Sequence, residues 1–313
     1  MNHKFECNSC NPYDTYGLTN IDELGIGTKC EDFFVGAPPQ AQSVQPGQET
    51  LMTPLPIFDN PNYIGSGRLQ DKVAIITGGD SGIGRSVAVY YAKEGANIMI
   101  VYFDEHEDAS NTKQYIEQLG GTCELMSGDL KDPKFCQYVV EHTLCTFGKI
   151  DILVNNAGVQ YQQLKLEDIS NEQFDYTMKT NVYSMFYLTK YALPHMREGS
   201  IINTASITTY IGEPELIDYT ATKGAIVGFT RALATNLATK KIRVNAVAPG
   251  VFWTPLQPSS WTANKIPTLG SDSNMKRMAH PWEIASTYVY LASDDASYTT
   301  GQVIHVNGGQ YKG

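Results

Sequence analysis

Short apolar runs alternate with longer amphipathic segments from Asp71 to the carboxyl end of the chain. The apolar runs are rich in Ile and Val and are bounded by Gly, Asn, Asp or Pro, which is typical of buried β-strands. The predicted strands are Val73–Thr77, Asn97–Tyr102, Thr122–Ser127, Ile150–Asn155, Ser200–Thr204, Ile242–Ala248 and Gln302–Val306. The predicted helices are Ile83–Glu94, His106–Leu119, Pro133–Phe147, Glu172–Met196, Asp218–Thr239 and Pro281–Ala292. This alternation predicts an α/β fold, a doubly wound parallel sheet of about seven strands with helices on both faces.

The first 67 residues lack this periodicity. They hold two Lys, no Arg, eight Asp and Glu, and seven of the 15 prolines. Such a composition predicts an extended, partly ordered arm over residues 1–67, followed by one catalytic domain over residues 68–313. Within the arm, the segment Thr53–Phe58 combines apolar residues with prolines, and we expect it to lie across this subunit or a neighbouring one.

Composition narrows the class of protein. The 313 residues are 42% hydrophobic and carry a net charge of −10, which disfavours a nucleic-acid-binding surface. No run approaches the ~20 apolar residues that span a bilayer, and the polar amino terminus lacks the apolar core of a secretory signal. The six scattered cysteines favour reduced thiols and a cytoplasmic location.

A metal site in the arm is a competing interpretation of its cysteines. Cys7 and Cys10, with His3 and Cys30, could supply four zinc ligands. Because the second half lacks a paired spacing, loose thiols are the favoured interpretation, and we predict no metal.

A glycine-rich turn follows the first predicted strand directly. The stretch Thr77–Gly84 contains Gly78, Gly82 and Gly84 and leads into an amphipathic helix. Glycines allow a tight turn and close backbone approach to a pyrophosphate, and the N–H groups at a helix start favour anions. The turn residues predicted to bind a cofactor are Gly78, Asp80, Ser81, Gly82, Ile83 and Gly84.

Tyr219 and Lys223 are four residues apart in a predicted helix and therefore project from one face. A phenol with a pKa of ~10 is a poor base at neutral pH, and a neighbouring ammonium favours the phenolate. Tyr219 could then accept a proton from an alcohol or donate one to a carbonyl oxygen.

Three motifs occur in a fixed order: the turn Thr77–Gly84, the run Asn155–Gly158, and the Tyr219/Lys223 pair. Together they resemble the short-chain dehydrogenase/reductase family, its single-domain branch, from about Leu69 to Gly309. The stretch Asp218–Lys223, the segment Trp253–Leu256 and the long arm are similar to bacterial members labelled glucose/ribitol-type dehydrogenases or general-stress oxidoreductases.

The resemblance implies an oxidoreductase with a Rossmann fold and further site residues. Ser206 would hold the substrate oxygen, Asn181 would anchor a proton-relay water, and Lys223 would hydrogen-bond the nicotinamide ribose. The other residues implied to bind cofactor are Asp129, Leu130, Asn155, Ala157, Gly158, Tyr219, Pro249, Gly250, Phe252 and Thr254. Asn155 could equally stabilise the sheet centre. The family also pairs its helices between subunits, which implies a homodimer or homotetramer.

The segment after the second predicted strand bears on the choice of cofactor. Asp104, Glu105, Glu107 and Asp108 lie where the adenosine ribose is expected, with no Lys or Arg among them. A carboxylate there accepts from a 2′-hydroxyl and repels a 2′-phosphate. We therefore predict NAD as cofactor with Asp104 as the ribose ligand, and NADP as the alternative, because Tyr102 stands where a strict NAD enzyme of the family has its Asp. Glu105, Glu107 and Asp108 could instead form a solvated acidic loop.

Polar and aromatic residues surround the expected substrate position, and the irregular segment Leu256–Met278 corresponds to the family's mobile lid. The expected wall residues are Gln160, Tyr161, Gln162, Gln163, Tyr210, Glu213 and Trp253. They favour a small polar aldehyde, ketone, sugar or polyol. The alternatives are reduction of 3-oxoacyl thioesters and, from another class, a cofactor-binding redox sensor.

Overall fold

A computed structural model describes residues 36–313 as a seven-stranded, wholly parallel sheet with helices on both faces. The arm residues His3, Cys7, Cys10 and Cys30 lie outside the described residues. The strands are β1 (Val73–Thr77), β2 (Asn97–Tyr102), β3 (Thr122–Ser127), β4 (Ile152–Asn155), β5 (Gly199–Thr204), β6 (Ile242–Pro249) and β7 (Val303–Val306). Their spatial order is β3-β2-β1-β4-β5-β6-β7. The predicted doubly wound α/β fold is confirmed, and the strand order reverses between β1 and β4.

The longer helices follow the prediction except at one place, and the short helix Thr208–Ile211 was not predicted. They are α1 (Gly82–Lys93), α2 (His106–Gln118), α3 (Pro133–Phe147), α4 (Asn171–Met178), α5 (Ser184–Ala192), α6 (Thr208–Ile211), α7 (Ile217–Leu237) and α8 (Trp282–Ala292). The prediction of one helix over Glu172–Met196 is wrong: a π-helical segment, Lys179–Tyr183, separates α4 from α5, and a 3₁₀ turn containing Pro194 ends α5. A π segment accommodates one additional residue within the helix.

Alternating strand residues serve two cores because successive side chains point to opposite faces of the sheet. Ile76 and Ile100 pack on one face with α1 and α8. Ile75 and Met99 pack on the other face with α3 and α5. The near-continuous apolar strands are thus buried on both faces of the sheet. The helices leave the carboxyl ends of the strands uncovered, and a ligand site can form there.

Residues 36–60, here called the strap, run in extended form over the same chain. The Trp253 indole donates to Pro54 O at 2.8 Å, and the Ser86 hydroxyl donates to Phe58 O at 2.6 Å. Lys93 and Asp59 form a buried ion pair at 2.6 Å. The segment Thr53–Phe58 therefore lies across its own subunit.

Within residues 36–313, no helix is both long and apolar enough to cross a membrane. In the same range, no three His, Cys, Asp or Glu side chains come together as a potential metal site. Cys123, Cys136 and Cys145 are free thiols, and burial raises the pKa of the first two to about 12.

Candidate active site

A cleft of about 470 Å³ opens at the carboxyl edge of the sheet. It runs from the glycine-rich turn after β1 to the start of α7. Parallel α/β sheets bind ligands at this edge. The predicted site residues that line it are Gly78, Asp80, Ser81, Gly82, Ile83, Asp129, Leu130, Ala157, Gly158, Ser206, Tyr219, Lys223, Pro249, Gly250, Phe252 and Thr254. Gly84, Asp104, Asn155 and Asn181 do not line it.

The glycine-rich turn needs its glycines for two different reasons. Gly82 has φ +52°, and a Cβ there would lie 3.0 Å from Thr254 on the opposite wall of the cleft. A Cβ on Gly84 would lie only 1.8 Å from Gly78 O, so α1 can pack on the turn only without a side chain at that position. Since α1 begins at Gly82, its first N–H groups lack intrahelical acceptors and face the turn.

The acidic segment after β2 places a different carboxylate in the cleft from the one predicted. Asp104 is exposed, whereas Glu105 is 4% exposed and lines the cleft beside Asp80. Asp108 is also buried, so the interpretation of a solvated loop is wrong for Glu105 and Asp108, while Glu107 is exposed as expected. The backbone turns between β2 and α2, which directs Glu105 inward and Asp104 outward.

Burial dominates the chemistry of the two cleft carboxyls. It raises the pKa of Asp80 to about 7, with the charges of Asp108 and Glu49 adding to the effect. Burial also raises the pKa of Glu105, and the neighbouring Asp80 raises it further. Glu105 Oε1 has no hydrogen-bond partner among the described residues. A ribose hydroxyl would satisfy it, so this end of the cleft fits the adenosine half of a dinucleotide.

Tyr219, Ser206 and Lys223 meet at the other end of the cleft. Tyr219 and Lys223 lie in the first two turns of α7, with Lys223 Nζ 5.4 Å from the centroid of the Tyr219 ring. The Ser206 hydroxyl, in the loop after β5, hydrogen-bonds the Tyr219 phenol and accepts from Thr208. Lys223 Nζ donates to Thr204 O at 2.7 Å.

The pKa values of this group differ from the prediction. Burial raises the pKa of Tyr219 to about 12, although its hydrogen bond with Ser206 acts in the opposite direction. Burial lowers the pKa of Lys223 to about 7. Lys223 therefore does not lower the pKa of Tyr219 as expected, because burial raises that pKa and also lowers the pKa of Lys223 itself. Tyr219 is a neutral phenol at neutral pH and is ready to donate a proton.

Asn181 lies behind this group and is held by the π segment. Its amide accepts from Val159 N at 2.8 Å and donates to Val159 O at 2.9 Å and to Thr222 at 3.1 Å. A Cβ on Gly158 would lie 3.3 Å from Asn181 Oδ1 and 3.6 Å from Lys223 Nζ. The amide and the lysine amine thus approach the same backbone point, and the relay role of Asn181 stays a prediction.

Asn155 lies at the centre of the sheet. Its amide donates to Asn203 at 2.9 Å and to Thr189 at 3.3 Å. These contacts agree with the alternative interpretation, stabilisation of the sheet. Its role toward a cofactor stays a prediction.

Asp218 is a site residue that the sequence analysis did not identify. Its fully buried carboxylate accepts from Tyr219 N at 2.8 Å, and its other oxygen accepts from Thr177 and Gln173. One carboxylate therefore ties the start of α7 to α4. Its position immediately before Tyr219 was the only signal in the sequence.

The substrate wall differs from the expectation at most positions. Of the seven expected wall residues, Gln160 and Glu213 line the cleft, whereas Tyr161, Gln162, Gln163, Tyr210 and Trp253 do not. Trp253 is fully buried and donates to the strap, so it does not line the cleft. Trp261, Leu269 and Lys265, from the predicted lid, line the cleft together with Gln160 and Glu213. The lid segment is irregular apart from a 3₁₀ turn, Ile266–Thr268.

A family model described as enoyl-(acyl carrier protein) reductase matches residues 78–310. The uncharacterized oxidoreductase YhxC of Bacillus subtilis (strain 168) is 57% identical, over 87% of this chain and 95% of that protein. General stress protein 39 of the same organism is 54% identical, over 88% of this chain and 96% of that protein.

The glucose and ribitol dehydrogenase of Daucus carota is 49% identical, over 87% of this chain and 96% of that protein. Among solved structures, a short chain dehydrogenase from Burkholderia cenocepacia J2315 in complex with NADP is similar, with a TM-score of 0.73 and 29% identity. That similarity covers 78% of this chain and 99% of the solved one.

Proposed function

Because the chain belongs to the short-chain dehydrogenase/reductase family of NAD(P)-dependent oxidoreductases, we propose that it interconverts a small polar carbonyl compound and its alcohol, with Tyr219 as general acid/base. The observation that carries the proposal is the meeting of Tyr219, Ser206 and Lys223 in one buried cleft with the glycine-rich turn. The predicted similarity to glucose/ribitol-type and general-stress oxidoreductases is confirmed.

The chain's own residues manage the proton. The bound nicotinamide would supply the hydride to the carbonyl carbon or accept it from the alcohol. In reduction, the Tyr219 hydroxyl donates its proton to the substrate oxygen, and Ser206 orients that oxygen through its own hydroxyl. In oxidation, the Tyr219 phenol must first lose its own proton to solvent, and its phenolate oxygen then accepts the alcohol proton. Because the pKa of Tyr219 is raised to about 12, the reductive direction needs no prior protonation at neutral pH.

The cofactor residues divide along the cleft. The turn Gly78–Gly84 would hold the pyrophosphate, and Phe252 and Thr254 would hold the nicotinamide amide. Glu105, in place of Asp104, would accept from the ribose 2′-hydroxyl. Since Glu105 repels a 2′-phosphate when it is ionised, and its raised pKa leaves it ionised mainly above about pH 8, we propose a preference for NAD that grows as the pH rises.

The substrate class follows from the walls of the cleft. Gln160, Glu213 and Lys265 provide hydrogen-bonding groups, whereas Trp261 and Leu269 provide apolar contacts. This mixture suits an aldehyde, ketone, sugar or polyol of a few carbons. A long acyl thioester would need a larger apolar channel.

Absorbance of the reduced nicotinamide at ~340 nm tests the proposal directly. The protein is assayed with NADH and NADPH against small aldehydes, ketones and a 3-oxoacyl thioester, and with NAD and NADP against sugars and polyols. We expect turnover of the small substrates and a loss of about a thousandfold or more in Tyr219→Phe. Turnover confined to the thioester would refute the substrate class, and unchanged turnover in Tyr219→Phe would refute the mechanism.

Two further predictions concern the whole protein. Phe174, Tyr183 and Phe186, on the α4–α5 segment, are 44%, 40% and 45% exposed. We propose that this surface pairs two subunits in a homodimer or homotetramer, which the mass in solution tests. The cytoplasmic location stays a prediction.

A further inference from the structure

Glu49, in the strap, reaches into the turn on which the cofactor site is built. It lies in the 3₁₀ turn Glu49–Leu51, and its side chain is 1% exposed. Oε2 accepts the Gly82 N–H at 2.7 Å, and Oε1 accepts from Arg85 Nη1 at 2.7 Å. The first N–H of α1, that of Gly82, thus donates to a carboxylate 33 residues earlier in the chain.

Both members of the ion pair are fixed by second contacts. Asp108, on α2, accepts from Glu49 N at 2.6 Å and from Thr50 N at 3.1 Å. The Arg85 guanidinium lies over the Phe58 ring of the strap, 3.6 Å from its centroid. A cation over an aromatic face is stabilised by the ring electrons. Asp108 of the domain therefore fixes the backbone of Glu49, and Phe58 of the strap fixes the guanidinium of Arg85.

The strap also reaches the substrate side of the cleft. Pro46 and Gly47 line the cleft. The Gln45 side chain accepts from Gln160 N at 3.0 Å and donates to Ser259 O at 3.0 Å. One extended segment therefore joins the glycine-rich turn to the wall that faces the substrate.

We propose that Glu49 is a positioning residue for the cofactor, since it holds Gly82 and Arg85 so that the turn Gly78–Gly84 keeps the shape that receives the pyrophosphate. Arg85 offsets the charge of Glu49, so the carboxylate orders the turn without repelling a phosphate. Because the strap and the cofactor order the same turn, each stabilises the other. The inference rests on the proposed function in that it takes a nicotinamide dinucleotide as the ligand.

Two double variants separate positioning from simple ion pairing. Glu49→Gln/Arg85→Met removes both charges but keeps an acceptor for the Gly82 N–H, whereas Glu49→Met/Arg85→Met removes the acceptor as well. We expect the second to bind NADH about tenfold more weakly than the first, measured by NADH fluorescence. At saturating cofactor, kcat should differ by less than about threefold between them, because Tyr219 and Lys223 are untouched. The exposed Glu107→Gln, on α2, is the charge control and should bind like the wild type.

Equal NADH affinities in two variants of similar melting temperature overturn the inference, and so does a fall in kcat without a change in affinity. If the double variants fail to fold, hydrogen exchange on the wild type decides. Exchange of the peptide covering residues 45–52 should slow when NADH is added, and unchanged exchange overturns the inference. A wild type that binds neither NADH nor NADPH would instead refute the proposed function, which keeps the two failures distinct.

Discussion

Lys223 is a buried cation without a carboxylate partner, and replacing it should stabilise the protein while abolishing catalysis. It is 3% exposed, and its Nζ donates only to the carbonyl of Thr204 among the hydrogen bonds of the described residues. Burial lowers its pKa from 10.5 to about 7. We therefore predict that Lys223→Met has a larger free energy of unfolding than the wild type in the absence of cofactor.

The magnitude follows from the pKa difference. At about pH 7 the unfolded chain holds this proton and the folded chain holds it half the time, which costs the fold about 4 kcal/mol. The variant also lacks the hydrogen bond from Lys223 to Thr204 O, and this loss lowers its stability by about 1–2 kcal/mol. The net stabilisation expected for Lys223→Met at about pH 7 is thus about 2–3 kcal/mol.

The pH dependence gives this prediction its sign. Between about pH 7 and pH 10 the unfolded chain binds more protons at this residue than the folded chain, so wild-type stability rises with pH. At about pH 9 the cost of the lysine falls to about 2 kcal/mol, and the advantage of Lys223→Met should nearly disappear. The difference in free energy of unfolding between Lys223→Met and the wild type should therefore fall by about 2 kcal/mol from about pH 7 to about pH 9.

Urea unfolding of the cofactor-free proteins at both pH values measures these differences. Lys134→Met, at an exposed position of α3, serves as the matched control and should change stability little at either pH. A variant at Lys223 that is less stable than wild type at about pH 7, or a difference that does not depend on pH, would show that the lysine is not a desolvated cation.

Two further substitutions test the surroundings of the site. Asp218→Asn replaces a buried carboxylate, which accepts three hydrogen bonds, with an amide that has one acceptor oxygen. We expect kcat to fall about tenfold or more with little change in KM. A lower melting temperature with wild-type kcat would show that Asp218 is purely structural. Glu105→Gln should raise kcat/KM for NADPH relative to NADH, by about tenfold at about pH 9 and by little at about pH 6. The reason is that the raised pKa leaves wild-type Glu105 largely protonated in acid and charged in base. An equal effect at both pH values would contradict that titration.

The sequence was sufficient for the sheet and, at its carboxyl edge, for the glycine-rich turn and the Tyr219/Lys223 pair. Apolar runs such as Val73–Thr77 are buried throughout, so their pattern leaves little choice of structure. The turn at Gly78 and the pair Tyr219 and Lys223 are local motifs, since their geometry depends on residues a few positions apart. These parts were therefore predictable from a single chain.

The remaining parts depend on contacts that no local pattern encodes. The Glu49–Gly82 hydrogen bond and the Trp253–Pro54 hydrogen bond join residues 33 and 199 positions apart. The inward turn of Glu105 depends on the path of a loop, and a π segment of five residues changes the helical period too little to be detected by apolar spacing. The pKa of Tyr219 required knowledge of its burial, which a sequence motif does not supply.

Because of the π-helical segment Lys179–Tyr183, the site depends on the number of residues between α4 and α5 as well as on their identity. A π turn accommodates one residue more than an α-helix of the same rise. Loss of one codon from this turn would let an uninterrupted α-helix form, with its ends and apolar face preserved. The amide of Asn181 would then rotate away from Val159 and Thr222. An in-frame deletion, a genetic change that substitution scans never sample, could thus yield a folded but inactive protein.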